Sequence, residues 1–115
     1  QESKRVPMQH ASNGVVGLET LLSLTLDLVQ DGSMTLIKAL SKMTCEPANL
    51  LGLDVGRLQK GGAADMVIFD PSAEWIVDLD KLVSKSKNTP FEGRKMKGKV
   101  TRTIVDGRTV FKQEV

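Results

Sequence analysis

Chemistry at neutral pH needs a nucleophile, a proton carrier or a metal ligand, and this chain holds few of them. It has one histidine, His10, and one cysteine, Cys45. Ser12 lies two residues from His10. A working nucleophile–base pair also needs a third group to orient the base, and none stands nearby. An exposed loop histidine is therefore the reading for His10. One His cannot build a metal site, and neither His-x-His nor His-Glu-x-x-His occurs. Cys45 sits in Met43-Thr44-Cys45-Glu46-Pro47, where a small apolar residue at a helix junction is a better reading than a nucleophile. A lone Cys makes no internal disulfide, which fits a reducing cytoplasm. Glu19 reads as a favourable charge near a helix N-terminus. No catalytic residue and no metal ligand is assigned to these residues.

The stretch that could still carry function is Asn13-Gly14-Val15-Val16-Gly17-Leu18-Glu19-Thr20. Here a glycine-bracketed loop feeds an apolar helix. Leu18, Leu21, Leu22, Leu28 and Val29 fall at helical spacing over residues 18–30, and Leu24 and Leu26 widen the apolar face. Gly32 can cap its end. Ser33 or Thr35 can cap a second helix running to about Met43, with Leu36, Ile37, Leu40 and Met43 inward. Pro47 suits the first turn of a short third helix, Pro47–Leu51, stopped by Gly52. Residues 1–13 read as an irregular arm.

After Gly52 the period changes. Residues 56–65 are glycine-rich and turn-like, without the Lys-Ser/Thr ending of a phosphate loop. Met66–Phe69 reads as a short strand closed by Asp70-Pro71, and Trp75–Val77 as another. A helical turn is expected near Lys81–Val83. Lys85–Asn88 reads as a solvated connector, and Thr89–Gly93 as a turn with Phe91 inward. Asp106-Gly107 between two β-rich runs predicts a two-residue hairpin joining Lys99–Val105 to Arg108–Lys112.

The bulk numbers exclude several classes. Forty per cent hydrophobic and 26% charged residues suit one modest soluble domain. A net charge of +2 gives no strong pull toward nucleic acid or membrane. Lys95, Lys97, Lys99 and Arg102 alternate with other residues as the wet face of a strand. With three Phe, one Trp and no Tyr, stacking platforms for bases are scarce. No apolar run approaches the roughly 18 residues of a membrane span. Neither half is self-sufficient: the helices need a body to cover, and four short strands leave open edges. The residues Gln1-Glu2-Ser3-Lys4-Arg5 lack a starting Met. The expectation is the tail of a larger protein.

Four patches together resemble the C-terminal part of the dihydroorotase family, in the amidohydrolase superfamily. Asn13–Thr20 is similar to the family's Gly-x-x-Gly-Leu-Glu-Thr signature. Asn49-Leu50-Leu51-Gly52-Leu53 resembles the end of its closing helices. Gly56-Arg57-Leu58 through Gly61, followed by Ala64-Asp65-Met66-Val67-Ile68-Phe69-Asp70, resembles the superfamily's Gly-x-Leu-x-x-Gly…Ala-Asp-[Leu/Met]-Val pattern. Thr89-Pro90-Phe91-Glu92-Gly93 with Lys97-Gly98-Lys99-Val100 is close to the dihydroorotase tail, and sets it apart from dihydropyrimidinases and allantoinases.

The resemblance implies an α/β fold: the last helices of a (β/α)8 barrel in residues 1–55, with the substrate loop, and strands of a small composite β-sandwich in residues 56–115. It implies a zinc enzyme interconverting N-carbamoyl-L-aspartate and L-dihydroorotate in pyrimidine biosynthesis. In that family the metal supplies an activated hydroxide and polarises the scissile carbonyl, at the C-terminal ends of the barrel strands. The family's ligands precede the stretch matched by Glu2-Ser3-Lys4, so the chain alone is expected to hold no zinc and to be inactive. One site element carries over: the loop at Ser12, Asn13 and Gly14, whose backbone would hydrogen-bond the dihydroorotate ring. From the residues alone, Gly14 and Gly17 equally permit nothing more than a tight approach to the helix. The implied partners are the small-molecule substrate, the remainder of the barrel, and a homodimer mate or aspartate transcarbamoylase; nucleic acid and membrane are not among them. The alternatives are a non-catalytic dihydroorotase-like scaffold and another cyclic amidohydrolase such as dihydropyrimidinase.

Overall fold

The computed structural model describes residues 5–11 and 13–113. Ser12, one of the three expected substrate-loop residues, lies outside the described residues. Helix α1 (Leu21–Gln30) is followed by α2 (Leu36–Ser41) and α3 (Cys45–Leu50). Strands β1 (Met66–Ile76), β2 (Lys95–Val105) and β3 (Arg108–Lys112) form an antiparallel sheet in the order β1-β2-β3. Three-residue 3-10 turns lie at Met8–His10 and Leu79–Lys81.

The turn chemistry explains the joints. Gly32 ends the first helix, and Ser33 N–H donates to Asp31 at 2.8 Å. The Thr35 hydroxyl accepts from Lys38 N–H at 3.4 Å and caps α2. The third helix starts at Cys45, two residues before the expected Pro47, and still keeps Pro47 in its first turn. The Asp78 carboxylate accepts from Asp80 N–H at 3.0 Å and starts the 3-10 turn. Asp106 and Gly107 both take positive φ, 49° and 74°, as a type I′ hairpin demands.

Two sequence expectations are corrected. Met66–Phe69 and Trp75–Val77 are not separate strands: β1 runs through the first and on to Ile76 in the second, with a register break between Asp70 and Glu74. Pro71 lacks an N–H for the ladder, and the Asp70 carboxylate accepts from Ser72 N–H at 2.8 Å. The chain bulges there and resumes pairing at Glu74↔Lys97. The described residues therefore hold three strands, not four.

The second correction concerns which helical faces are buried. Leu18, Leu21 and Leu28, on the wide apolar face read as suited to packing on a larger body, are exposed in this chain. The buried positions are Thr20, Ser23 and Leu26. In α2, Ala39 is buried while Leu36 and Ile37 are exposed. The reason lies at the contact with the sheet. A Cβ added at Gly98 of β2 would come 2.3 Å from Leu26 Cδ1, so α1 lies against bare backbone. Ser23 Oγ donates to Gly98 O at 2.9 Å and accepts from Trp75 Nε1 at 3.0 Å. Trp75 Nε1 also donates to Gly98 O at 3.0 Å. Paired in this way, a serine can be buried without the penalty of an unsatisfied hydroxyl. Val77, Leu82 and Met96 complete a small core beside it.

Candidate functional site

The loop Asn13–Thr20 is tied at both ends by the connector between β1 and β2. At one end the Asn88 carboxamide donates from Nδ2 to Gly14 O at 2.7 Å and to Asn13 O at 3.3 Å. Asn88 O accepts from Val16 N–H at 2.9 Å. At the other end the Glu19 carboxylate accepts from Val83 N–H at 3.1 and 3.2 Å and from Ser84 N–H at 3.2 Å. Between them, Thr20 N–H and Thr20 Oγ1 both donate to Gly17 O, at 3.2 and 3.3 Å. Thr20 is buried, so this turn is anchored into the core.

The connector is itself fastened. Leu82 is buried, Lys87 Nζ donates to Leu82 O, and Thr89 Oγ1 accepts from Phe91 N–H at 3.3 Å. Phe91 is half-buried beneath Arg94, whose guanidinium carbon is 5.7 Å from the ring centroid. Arg94 also pairs with Asp27 of α1 at 2.6 Å.

An open cleft of about 1670 Å³ runs between this loop, the segment after β1 and the middle of β2, with Leu18, Glu19, Trp75, Leu82 and Lys99 on its walls. Its lining on this loop runs from Val15 to Thr20 and does not include Asn13 or Gly14. Both are exposed. Gly14 takes φ 59°, the left-handed conformation that lets the chain turn there.

The other sequence-flagged residues do not gather here. His10 is exposed in the Met8–His10 turn. Cys45 is half-buried at the start of α3, its Sγ 3.9 Å from Ser41 O. Glu19 is not a charge on the first turn of α1, which begins only at Leu21; it secures the connector. The sequence reading missed Asn88 as a clamp. Its partners lie more than 70 residues away, and no local pattern marks a contact of that separation. Among the described residues, no three His, Cys, Asp or Glu side chains come together to hold a metal ion. No chemical step is assigned through the zinc that the resemblance implies.

Residues 8–110 match the Amidohydrolase family. A dihydroorotase of Wolbachia sp. subsp. Drosophila simulans is 46% identical over 99% of this chain and 26% of its own length. A dihydroorotase of Geobacter metallireducens is 49% identical over 97% of this chain and 26% of its own. The chain thus spans about a quarter of the curated relatives it matches. Among solved structures, the L-hydantoinase (dihydropyrimidinase) of Arthrobacter aurescens superposes with a TM-score of 0.83 at 34% identity, covering 90% of this chain and 24% of that one. With the family match covering most of its length and the same fold found in a solved relative, the chain belongs to the amidohydrolase family.

Proposed function

We propose that residues 1–115 form the C-terminal part of a dihydroorotase, in which the loop at Ser12, Asn13 and Gly14 borders the pocket for dihydroorotate or N-carbamoyl-L-aspartate. One observation carries the choice of substrate. Identity to named dihydroorotases is 46–49% across nearly the whole chain, against 34% to the L-hydantoinase. In this reading residues 1–55 close the barrel, residues 56–115 supply strands of the small sandwich, and the enzyme works in the cytoplasm. Zinc would be held by residues elsewhere in the complete enzyme.

The loop's task would be recognition. A ring amide presents one donor and one acceptor, and backbone groups held at fixed positions can match both without a side chain. The rigidity needed for that match is consistent with the two ties on the loop, at Asn88 and Glu19.

The solved hydantoinase relative supports a second reading, a dihydropyrimidinase-type cyclic amidohydrolase. Turnover by the complete, metal-loaded enzyme separates the two. Hydrolysis of dihydroorotate, with dihydrouracil and hydantoin turned over at least 100-fold more slowly by order of magnitude, is expected, because a site built around the substrate's charged group leaves that group's partners unpaired with the analogues. Preference for dihydrouracil would establish the second reading. Absence of any turnover would point to a scaffold partnered with aspartate transcarbamoylase.

A further inference from the structure

We propose that Asn88 is a positioning residue for the substrate-facing loop, acting through the backbone carbonyls of Asn13 and Gly14. The proposal rests on the reading of that loop as a pocket wall. Three hydrogen bonds join this one residue to the loop: two from its carboxamide, at 2.7 and 3.3 Å, and one to its carbonyl from Val16, at 2.9 Å. A carboxamide carries two amine hydrogens and can serve two carbonyls at once. Asn13 O belongs to the 13–14 peptide and Gly14 O to the 14–15 peptide, so holding both restrains the two planes on either side of the Gly14 Cα.

Those two planes set the backbone angles at Gly14, which has φ 59°. Glycine can adopt several backbone wells, and the Asn88 bonds favour the one observed. Asn88 is in turn held by a connector anchored through Leu82 in the core and by Glu19 on the Val83 and Ser84 amides. The strand-rich half of the chain therefore sets the shape of a loop that belongs to the helical half.

The test uses Asn88→Ala and Asn88→Asp in the complete enzyme. Alanine deletes both side-chain bonds and keeps the Val16 bond. Aspartate keeps the size and turns a carboxylate toward two carbonyl oxygens. For Asn88→Ala, amide exchange across residues 13–17 should quicken about tenfold, and KM for dihydroorotate should rise about tenfold with kcat within about twofold, the scale of two modest hydrogen bonds. Asn88→Asp should exceed both changes. Exchange in the β2–β3 hairpin should stay as in the parent.

Unchanged exchange at residues 13–17 would overturn the clamp itself. Faster exchange with unchanged KM would leave the clamp intact but overturn the pocket-wall reading, and the positioning role with it. Acceleration that spreads into the hairpin would mark general destabilisation and would likewise overturn the role.

Discussion

At the scale of single residues, Gly14 is the position where backbone conformation and proposed function meet most directly. With φ at 59°, any L-residue there pays the left-handed cost of roughly 1–2 kcal/mol, and a β-branched one more. Gly14→Val is therefore expected to shift the loop and raise KM for dihydroorotate in the complete enzyme. Gly14→Asn, which visits the same conformation readily, should retain most of the affinity. Steady-state kinetics of the two variants check this, and parent-like kinetics for Gly14→Val would remove the substrate-loop assignment. A second residue-scale effect is electrostatic. The Lys42 ammonium and then the Ser41 hydroxyl, both donating to the Glu46 carboxylate, hold its pKa below the ordinary 4.5. A carboxylate whose pKa is lower in the folded state stabilises that state above its unfolded pKa. The contribution fades as pH falls through the folded value. The melting temperatures of the parent and Glu46→Gln should therefore differ slightly at neutral pH and converge in acid, once the folded-state carboxylate is protonated. The gap is small because the pair is exposed. A gap that stays constant with pH would show that the pair contributes through packing alone.

At the scale of elements, the decisive contact is α1 on the sheet, and it was the least legible part of the sequence. Helix existence, a cap at Ser33 or Thr35 and the Asp106-Gly107 hairpin follow from local chemistry, and each was readable; the structure gives the cap to Thr35. The face that α1 buries was not. Periodicity singled out the leucines, but Leu18 is 94% exposed while Ser23 is 1% exposed. Only the distant Gly98 and Trp75 make a buried serine favourable, and neither neighbours Ser23 in sequence. Asn88 escaped notice for the same reason. The contact also predicts the effect of a single methyl group. A Cβ at Gly98 would meet Leu26 Cδ1 at 2.3 Å, Leu26 is 2% exposed and has little room to move, and φ at Gly98 is 96°. Overpacking and backbone strain together should make Gly98→Ala less stable by roughly 2–4 kcal/mol. Trp75 is the only tryptophan and lies at this contact. Its emission in a urea titration should report an earlier transition in Gly98→Ala, and an unshifted midpoint would show that the helix docks elsewhere.

At the scale of the whole molecule, surface area explains why so many leucines face outward. A free-standing folded protein of 12.5 kDa exposes about 6,200 Å² by the usual mass scaling. This chain exposes 8753 Å². Its radius of gyration, 16.4 Å, likewise exceeds the roughly 13 Å of a compact domain of this length. The excess area, roughly 2,500 Å², is on the scale that large permanent interfaces cover. The exposed side chains fall on more than one element: Leu18 and Leu21 before and in α1, Ile37 in α2, Leu50 in α3, and Ile76 in β1. Cover is therefore needed on both the helical and the strand-bearing sides. This fits the proposed seating of the chain in a larger enzyme. A purified chain of residues 1–115 should accordingly bind an environment-sensitive apolar dye and travel as a species well above 12.5 kDa in size-exclusion chromatography with light scattering. Co-expression with the remaining segment of the complete enzyme should abolish dye binding and give a defined complex. A dye-silent monomer would mean that these leucines are tolerated in water, and the case for a larger enclosing fold would then rest on sequence similarity alone.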